Sequence, residues 1–180
     1  MTPITSLEVD QGRLTRSGKP EDADDPGNFR PRSFTPAAAA AASFASFLRG
    51  QGIRVRGRVS TTTAAPRAAT VASVSSPPVS AIVSWMLRES NNVIAENLAR
   101  QVALRIGRPA SFAGAAAAVT AVAARLGVGS GIHLVAGSGL SPRDRISPMA
   151  LAGLVRVGGG RQARIRAALT GMPVSGFSGT

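Results

Sequence analysis

Between residues 76 and 106 the chain sets down two apolar stripes at helical spacing, on either side of one polar break. Val79, Ile82, Val83, Met86 and Leu87 stand at i, i+3, i+4, i+7 and i+8, the spacing that gathers side chains on one helix face. Ser90-Asn91-Asn92 interrupts the pattern, and Ile94, Leu98, Val102 and Ile106 resume it out of phase. One straight helix cannot keep both stripes on one face. The spacing predicts two helices, the first opening near Ser76-Pro77-Pro78 and ending at Arg88 or Glu89, joined by a tight Ser-Asn-Asn turn, with both apolar faces buried.

The rest of the chain divides around this pair. Ile4, Leu7, Val9 and Leu14 alternate loosely with polar residues, which predicts a short strand pair or extended segment over 3–14. Residues 15–33 are polar, acidic and rich in Pro and Gly, as surface connections are. Thr35-Pro36 opens a helix in which Thr35 caps, Phe44, Phe47 and Leu48 form the apolar face, and Gly50 or Gly52 ends the run. Ile53, Val55 and Val59 alternate with Arg54, Arg56 and Arg58, which predicts a half-buried strand with an arginine face. Val71–Val74 reads as another short strand. Ser111 caps an Ala-rich helix with Phe112, Val119, Val122 and Leu126 inward. A short strand at Ile132–Val135, a turn-rich loop at Gly137–Asp144, a helix over Met149–Val157 behind Ser147-Pro148, and a last helix over Arg161–Leu169 follow.

What fills the core is limited. The chain has 180 residues, room for one full domain, and 32 of its apolar residues are Ala. Ile, Leu, Val and Phe together number 42, a little above the roughly 20% below which a chain stays disordered. A thin core of small side chains is expected. The glycines follow no three-residue period, which excludes a collagen-like chain, and no uncharged apolar run approaches the ~18 residues of a membrane span.

Charge and cysteine content narrow the functions. The net charge is +12, yet residues 1–28 are net acidic, and over residues 29–180 there are 18 bases against Glu89, Glu96 and Asp144. A small basic protein binding nucleic acid or another polyanion is therefore the alternative reading, and it predicts steeply salt-dependent binding. Two features weigh against it. All bases but Lys19 are Arg in a chain also rich in Ala and Gly, as GC-rich coding produces, and no aromatics interleave Arg54, Arg56 and Arg58 to stack bases. With no cysteine, disulfides, thiolate metal sites and cysteine nucleophiles are excluded. The one histidine, His133, lies in an apolar segment where a packed structural role is expected, and no metal or other cofactor is implied. Glu89 and Glu96 are separated by the break, so they form no inferred acid–base pair, and Trp85 reads as a core or boundary aromatic. The residues after Met1 form no positive n-region and no apolar h-region, so no signal peptide is expected in these residues.

By spacing alone, Ser90-Asn91-Asn92 is an ordinary helix-capping sequence. Its surroundings are more specific. The runs Ser76-Pro77-Pro78-Val79-Ser80, Trp85–Asn92, Ala95–Arg100, Gly137–Pro148 and Gly171–Thr180 come in an order that resembles the D-alanyl-D-alanine carboxypeptidase/endopeptidase family, low-molecular-mass penicillin-binding proteins with an inserted domain. The resemblance covers residues 3–180. It implies an α/β fold class, here a mainly helical fragment belonging to a β-lactamase/transpeptidase-like serine acyltransferase domain. Residues 1–33 would be the end of the inserted domain and a linker, and residues 34–180 part of the catalytic domain.

That family transfers acyl groups through a serine, using S-x-x-K, S-x-N and K-T-G motifs. The resemblance makes Ser90 and Asn92 the catalytic candidates. Ser90 would relay a proton toward the leaving amine, and Asn92 would orient the nucleophile's lysine and the substrate amide. Neither S-x-x-K nor K-T-G occurs in these residues, since the only lysine, Lys19, has Arg16 three positions before it. Ala136 stands where the family usually carries Asp, so the support a carboxylate there would give the next loop is expected to be absent. The resemblance also implies peptidoglycan stem peptides and β-lactams as partners of the complete enzyme, an extracytoplasmic location, no membrane span and no nucleic acid. The chain alone is expected to be inactive and, with apolar faces uncovered, marginally stable.

Overall fold

A computed structural model describes residues 3–14, 31–160 and 163–178. These residues fall into two compact units, one up to residue 76 and one from residue 77 onward.

In the first unit, a 3-10 turn at Asp10–Gly12 leads into a bridge in which Arg13 pairs antiparallel with Arg32. The Ser33 amide donates to the Gly12 carbonyl at 2.7 Å, and the Leu14 amide to that of Pro31 at 3.0 Å. Helix α1 spans Pro36–Gly50, with proline in its first turn as expected. Thr35, however, makes no side-chain cap bond. The buried Ser33 hydroxyl takes the Thr35 amide instead, at 3.0 Å. The face is also not the one expected: α1 buries Pro36, Ala40 and Ala45, while Phe44 and Phe47 are exposed. Neither predicted strand forms. Residues 53–59 and 71–74 run as irregular chain, and Val71 and Val74 are almost fully exposed. Alternation makes a strand only where a second strand offers its ladder, and none does so among the described residues. Of the 3–14 expectation, only the bridge at Arg13 remains. Residues 15–30 lie outside the described chain.

The second unit is helical. Helix α2 runs Val79–Arg88, α3 Asn92–Arg105, α4 Phe112–Arg125, α5 Pro148–Gly159 and α6 Ala163–Thr170. Strands β1 (Ile132–His133) and β2 (Arg145–Ile146) form a two-residue antiparallel pair, Ile132 opposite Ile146 and His133 opposite Arg145. Strand β2 was not expected, because two residues carry no periodicity. Helix α3 packs on α4, α5 on α6, and α2 on both α6 and α3. Among the described residues, three helices start on side-chain caps: Asn91 accepts from the Ile94 amide at 3.0 Å, Ser111 from that of Gly114 at 3.0 Å, and Ser147 from that of Ala150 at 3.2 Å.

The core of this unit is alanine. Ala99, Ala103, Ala115, Ala116, Ala118 and Ala123 are buried, and no large side chain among the described residues is fully so. The larger residues assigned to α4's inner face, Phe112, Val119, Val122 and Leu126, are only half-buried, and α2 buries none of its stripe. Small side chains let α3 and α4 approach closely but remove little surface from water. A methyl is worth about 0.8 kcal/mol, against roughly 1.5–3 kcal/mol for a buried Leu or Val. Thermal unfolding of the isolated chain, followed by far-UV circular dichroism, is accordingly expected to be broad and accompanied by strong binding of a hydrophobic dye. A sharp transition without dye binding would contradict the thin-core account.

Candidate functional site

Helix α2 ends in a left-handed turn. The Asn91 amide donates to the Met86 carbonyl at 2.9 Å and the Glu89 amide to that of Trp85 at 3.0 Å. This six-to-one bond closes a Schellman motif, whose left-handed residue is usually glycine. Here that residue is Ser90, at φ +49°. A side chain in this region costs roughly 1–2 kcal/mol. Asn91, buried, turns inward to cap α3, while Ser90 and Asn92 face solvent. Neither the Ser90 hydroxyl nor the Asn92 amide side chain is bonded to another described residue. The turn thus holds one hydroxyl and one carboxamide outward on a stiff base.

The strain at Ser90 has a measurable consequence. Ser90→Gly is expected to raise the unfolding free energy by about 0.5–1 kcal/mol, the strain relieved less glycine's greater chain entropy. Urea denaturation reads this directly, and a loss of stability would show that the turn does not strain Ser90.

Four residues past Asn92 in α3 lies Glu96, only 3% exposed. Its Oε1 accepts three hydrogen bonds from the loop before β2: from the Gly137 amide at 2.9 Å, the Ser138 amide at 3.0 Å and the Ser138 hydroxyl at 2.9 Å. Its Oε2 pairs with Arg100 Nη1 at 2.7 Å, and the same nitrogen donates to the Glu96 carbonyl at 2.9 Å. The Arg100 guanidinium sits 4.3 Å from the centre of the Phe112 ring on α4, a cation–π distance. Gly137 is required by space: a Cβ there would lie 2.6 Å from Ala99 Cβ. Farther along, Asp144 Oδ1 accepts from the Val135 amide at 2.6 Å and ties off the loop's far end.

Ala136 is buried and offers no carboxylate, and the Gly137–Ser138 segment takes its carboxylate from Glu96 on α3. The sequence held a signal for this. Glu96 and Arg100 are four apart on a face otherwise made of Ala95, Ala99 and Ala103, and a charged pair on a small-residue face is a buried pair in waiting.

The remaining candidates fall elsewhere. Glu89 caps α2 and pairs with Arg88 at 3.2 Å, apart from the Glu96 network. His133 is exposed rather than packed, on the rim of an apolar groove of about 630 Å3 between α4 and β1. Trp85 is half exposed. Among the described residues no cluster of His, Asp or Glu has the makings of a metal site, and no helix is long and apolar enough to cross a membrane.

Comparison with known proteins bears on the whole chain. The model of the D-Ala-D-Ala carboxypeptidase 3 (S13) family matches residues 2–180. Carboxypeptidase DacB of Mycolicibacterium smegmatis is 40% identical over 113 residues, 62% of this chain and 25% of the relative. A carboxypeptidase of Mycobacterium tuberculosis is 35% identical over 186 aligned residues, all of this chain and 37% of the relative. The chain therefore spans about a quarter to just over a third of these relatives. Among solved structures, penicillin binding protein 4 (dacB) from Haemophilus influenzae, crystallised with a β-lactam, superposes with a TM-score of 0.67 at 30% identity, covering 80% of this chain and 34% of that one.

Proposed function

Since this chain belongs to the D-Ala-D-Ala carboxypeptidase 3 (S13) family, we propose that it carries the S-x-N part of a serine acyl-transfer site that cleaves D-Ala-D-Ala termini of peptidoglycan stem peptides. The observation that carries this reading is the turn between α2 and α3. It keeps a strained serine and an asparagine two residues on, both outward and both unengaged by neighbouring described residues. Strain held at a solvent-facing polar residue is a mark of functional positions.

The roles follow from the chemistry. Acyl transfer requires a base to take the nucleophile's proton and an acid to protonate the departing amine. A hydroxyl both accepts and donates, so Ser90 suits a relay that passes the proton to the leaving D-alanine nitrogen. Asn92 offers a carbonyl and an NH2 at once. It suits holding a lysine ammonium with the former and the substrate amide with the latter. The serine nucleophile and its lysine, and the K-T-G strand, belong in this reading to polypeptide outside these residues. Residues 1–33 are proposed as the end of an inserted domain and linker, and 34–180 as part of the catalytic domain. The setting is the cell wall, outside the cytoplasmic membrane, where the substrate lies.

The test is covalent labelling by fluorescent penicillin. The isolated 180-residue chain is expected to take no label, and the polypeptide that carries it in its native setting is expected to take one label per molecule. Labelling of the isolated chain would overturn the assignment of the nucleophile to other residues.

A further inference from the structure

We propose that Glu96 is a positioning residue of this site: by receiving three hydrogen bonds on one carboxylate oxygen, it docks the Gly137–Ser138 segment on the α3 face that carries Asn92, so that segment and Asn92 form one rigid wall. The consequence for chemistry rests on the function proposed above. The docking itself does not.

Asn92 and Glu96 stand four residues apart in α3, hence on one helix face and about 6 Å apart along the axis. Gly137 lies against that same face: a Cβ built on it would meet Ala99 Cβ, the Ala95 carbonyl and Glu96 Oε2. The segment has no sheet or helix of its own to hold it. What fixes it to α3 is Glu96 Oε1, which takes both amides and the Ser138 hydroxyl. An ion pair kept only for stability would need the Arg100 contact alone, and an apolar pair fills such a space as well. A loop of backbone donors, by contrast, can be held only by an acceptor.

The arrangement also divides the carboxylate's labour. Oε2 faces the Arg100 guanidinium and Oε1 faces three donors. Gln has one acceptor and one donor, so it cannot serve both sides. With its oxygen toward Arg100, its NH2 opposes the loop's N–H groups, and with its oxygen toward the loop, its NH2 opposes the guanidinium. Removing the guanidinium frees Gln to turn its oxygen to the loop. Met at position 100 keeps an unbranched side chain beside Phe112.

The experiment is backbone amide hydrogen exchange by NMR on the 15N-labelled 180-residue chain, read together with the Asn92 side-chain amide signals. In the unaltered chain the Gly137 and Ser138 amides are expected to exchange as slowly as amides inside α3. In Glu96→Gln both are expected to exchange at least roughly tenfold faster, and the Asn92 signals are expected to shift. Glu96→Gln/Arg100→Met is expected to restore slow exchange and the original Asn92 signals. Ser138→Ala loses only the hydroxyl bond, retains the fold, and is expected to speed exchange at 137 and 138 severalfold while α3 stays protected. Unchanged exchange at 137 and 138 in Ser138→Ala or Glu96→Gln would overturn the proposal. So would a loosened loop with unmoved Asn92 signals, or a double variant as loose as the single. Failure of the native polypeptide to bind penicillin would sink the functional reading and leave these exchange results standing.

Discussion

Ser90→Ala, made in the polypeptide that carries this chain in its native setting, is expected to slow acylation by penicillin about 100- to 10,000-fold, the range for losing a positioned proton-transfer group. Ser90 is exposed and its hydroxyl bonds to no other described residue, so the substitution breaks no structural contact. Alanine keeps the same left-handed strain at φ +49°, so the turn and the Asn91 cap remain. Folding should be unchanged while the chemistry is lost. Ser90→Gly separates the two effects further: the turn relaxes and stability rises, yet acylation remains as slow as in Ser90→Ala. If Ser90 were merely a turn residue, Ser90→Gly would be fully active.

The largest stability effect is expected at Arg100. Both members of the Glu96–Arg100 pair are buried, with side chains 4% and 10% exposed. Arg100→Met leaves the carboxylate with three neutral donors and no cation. Removing one partner of a buried pair costs roughly 3–5 kcal/mol. In a unit whose core is alanine, that is a large part of what an ordinary domain has. Urea denaturation followed by circular dichroism should therefore show Arg100→Met largely unfolded before denaturant is added, with much of the stability recovered when Glu96→Gln removes the stranded charge. A loss below about 1 kcal/mol in Arg100→Met would mean that solvent reaches the pair and screens it.

Much of the helical layout was legible in the residue order because helices are local. The stripe over Val79–Leu87, the break at Ser90-Asn91-Asn92, the cap Ser111 and the helix start at Ser147-Pro148 are all written within one or two turns of the residues they control. The resemblance to the carboxypeptidase family was legible in the same way, from contiguous runs, and the family match bears it out. What was not legible depends on distant partners. Residues 53–59 and 71–74 have strand pattern and no strand to pair with among the described residues. Phe44, Phe47 and Val79 satisfy an apolar stripe, yet burial fell to Ala40, Ala45 and the alanines of α3 and α4, because close helix approach selects small side chains and periodicity does not rank residues by size. For Glu96 the local pattern carries only the pairing with Arg100, four residues on. Its loop partners Gly137 and Ser138 lie 41 and 42 residues ahead, a separation at which local pattern carries no information.

The central claim is that Ser90 and Asn92 belong to a site that cleaves D-Ala-D-Ala. Its most direct test is D-alanine release from an acylated peptide ending in D-Ala-D-Ala, measured with the native polypeptide before and after exposure to penicillin. The account predicts steady release that penicillin abolishes and that Ser90→Ala and Asn92→Ala each reduce at least about 100-fold without unfolding the protein. Release at the full rate from a folded Ser90→Ala protein, or none from the unaltered polypeptide, would contradict it.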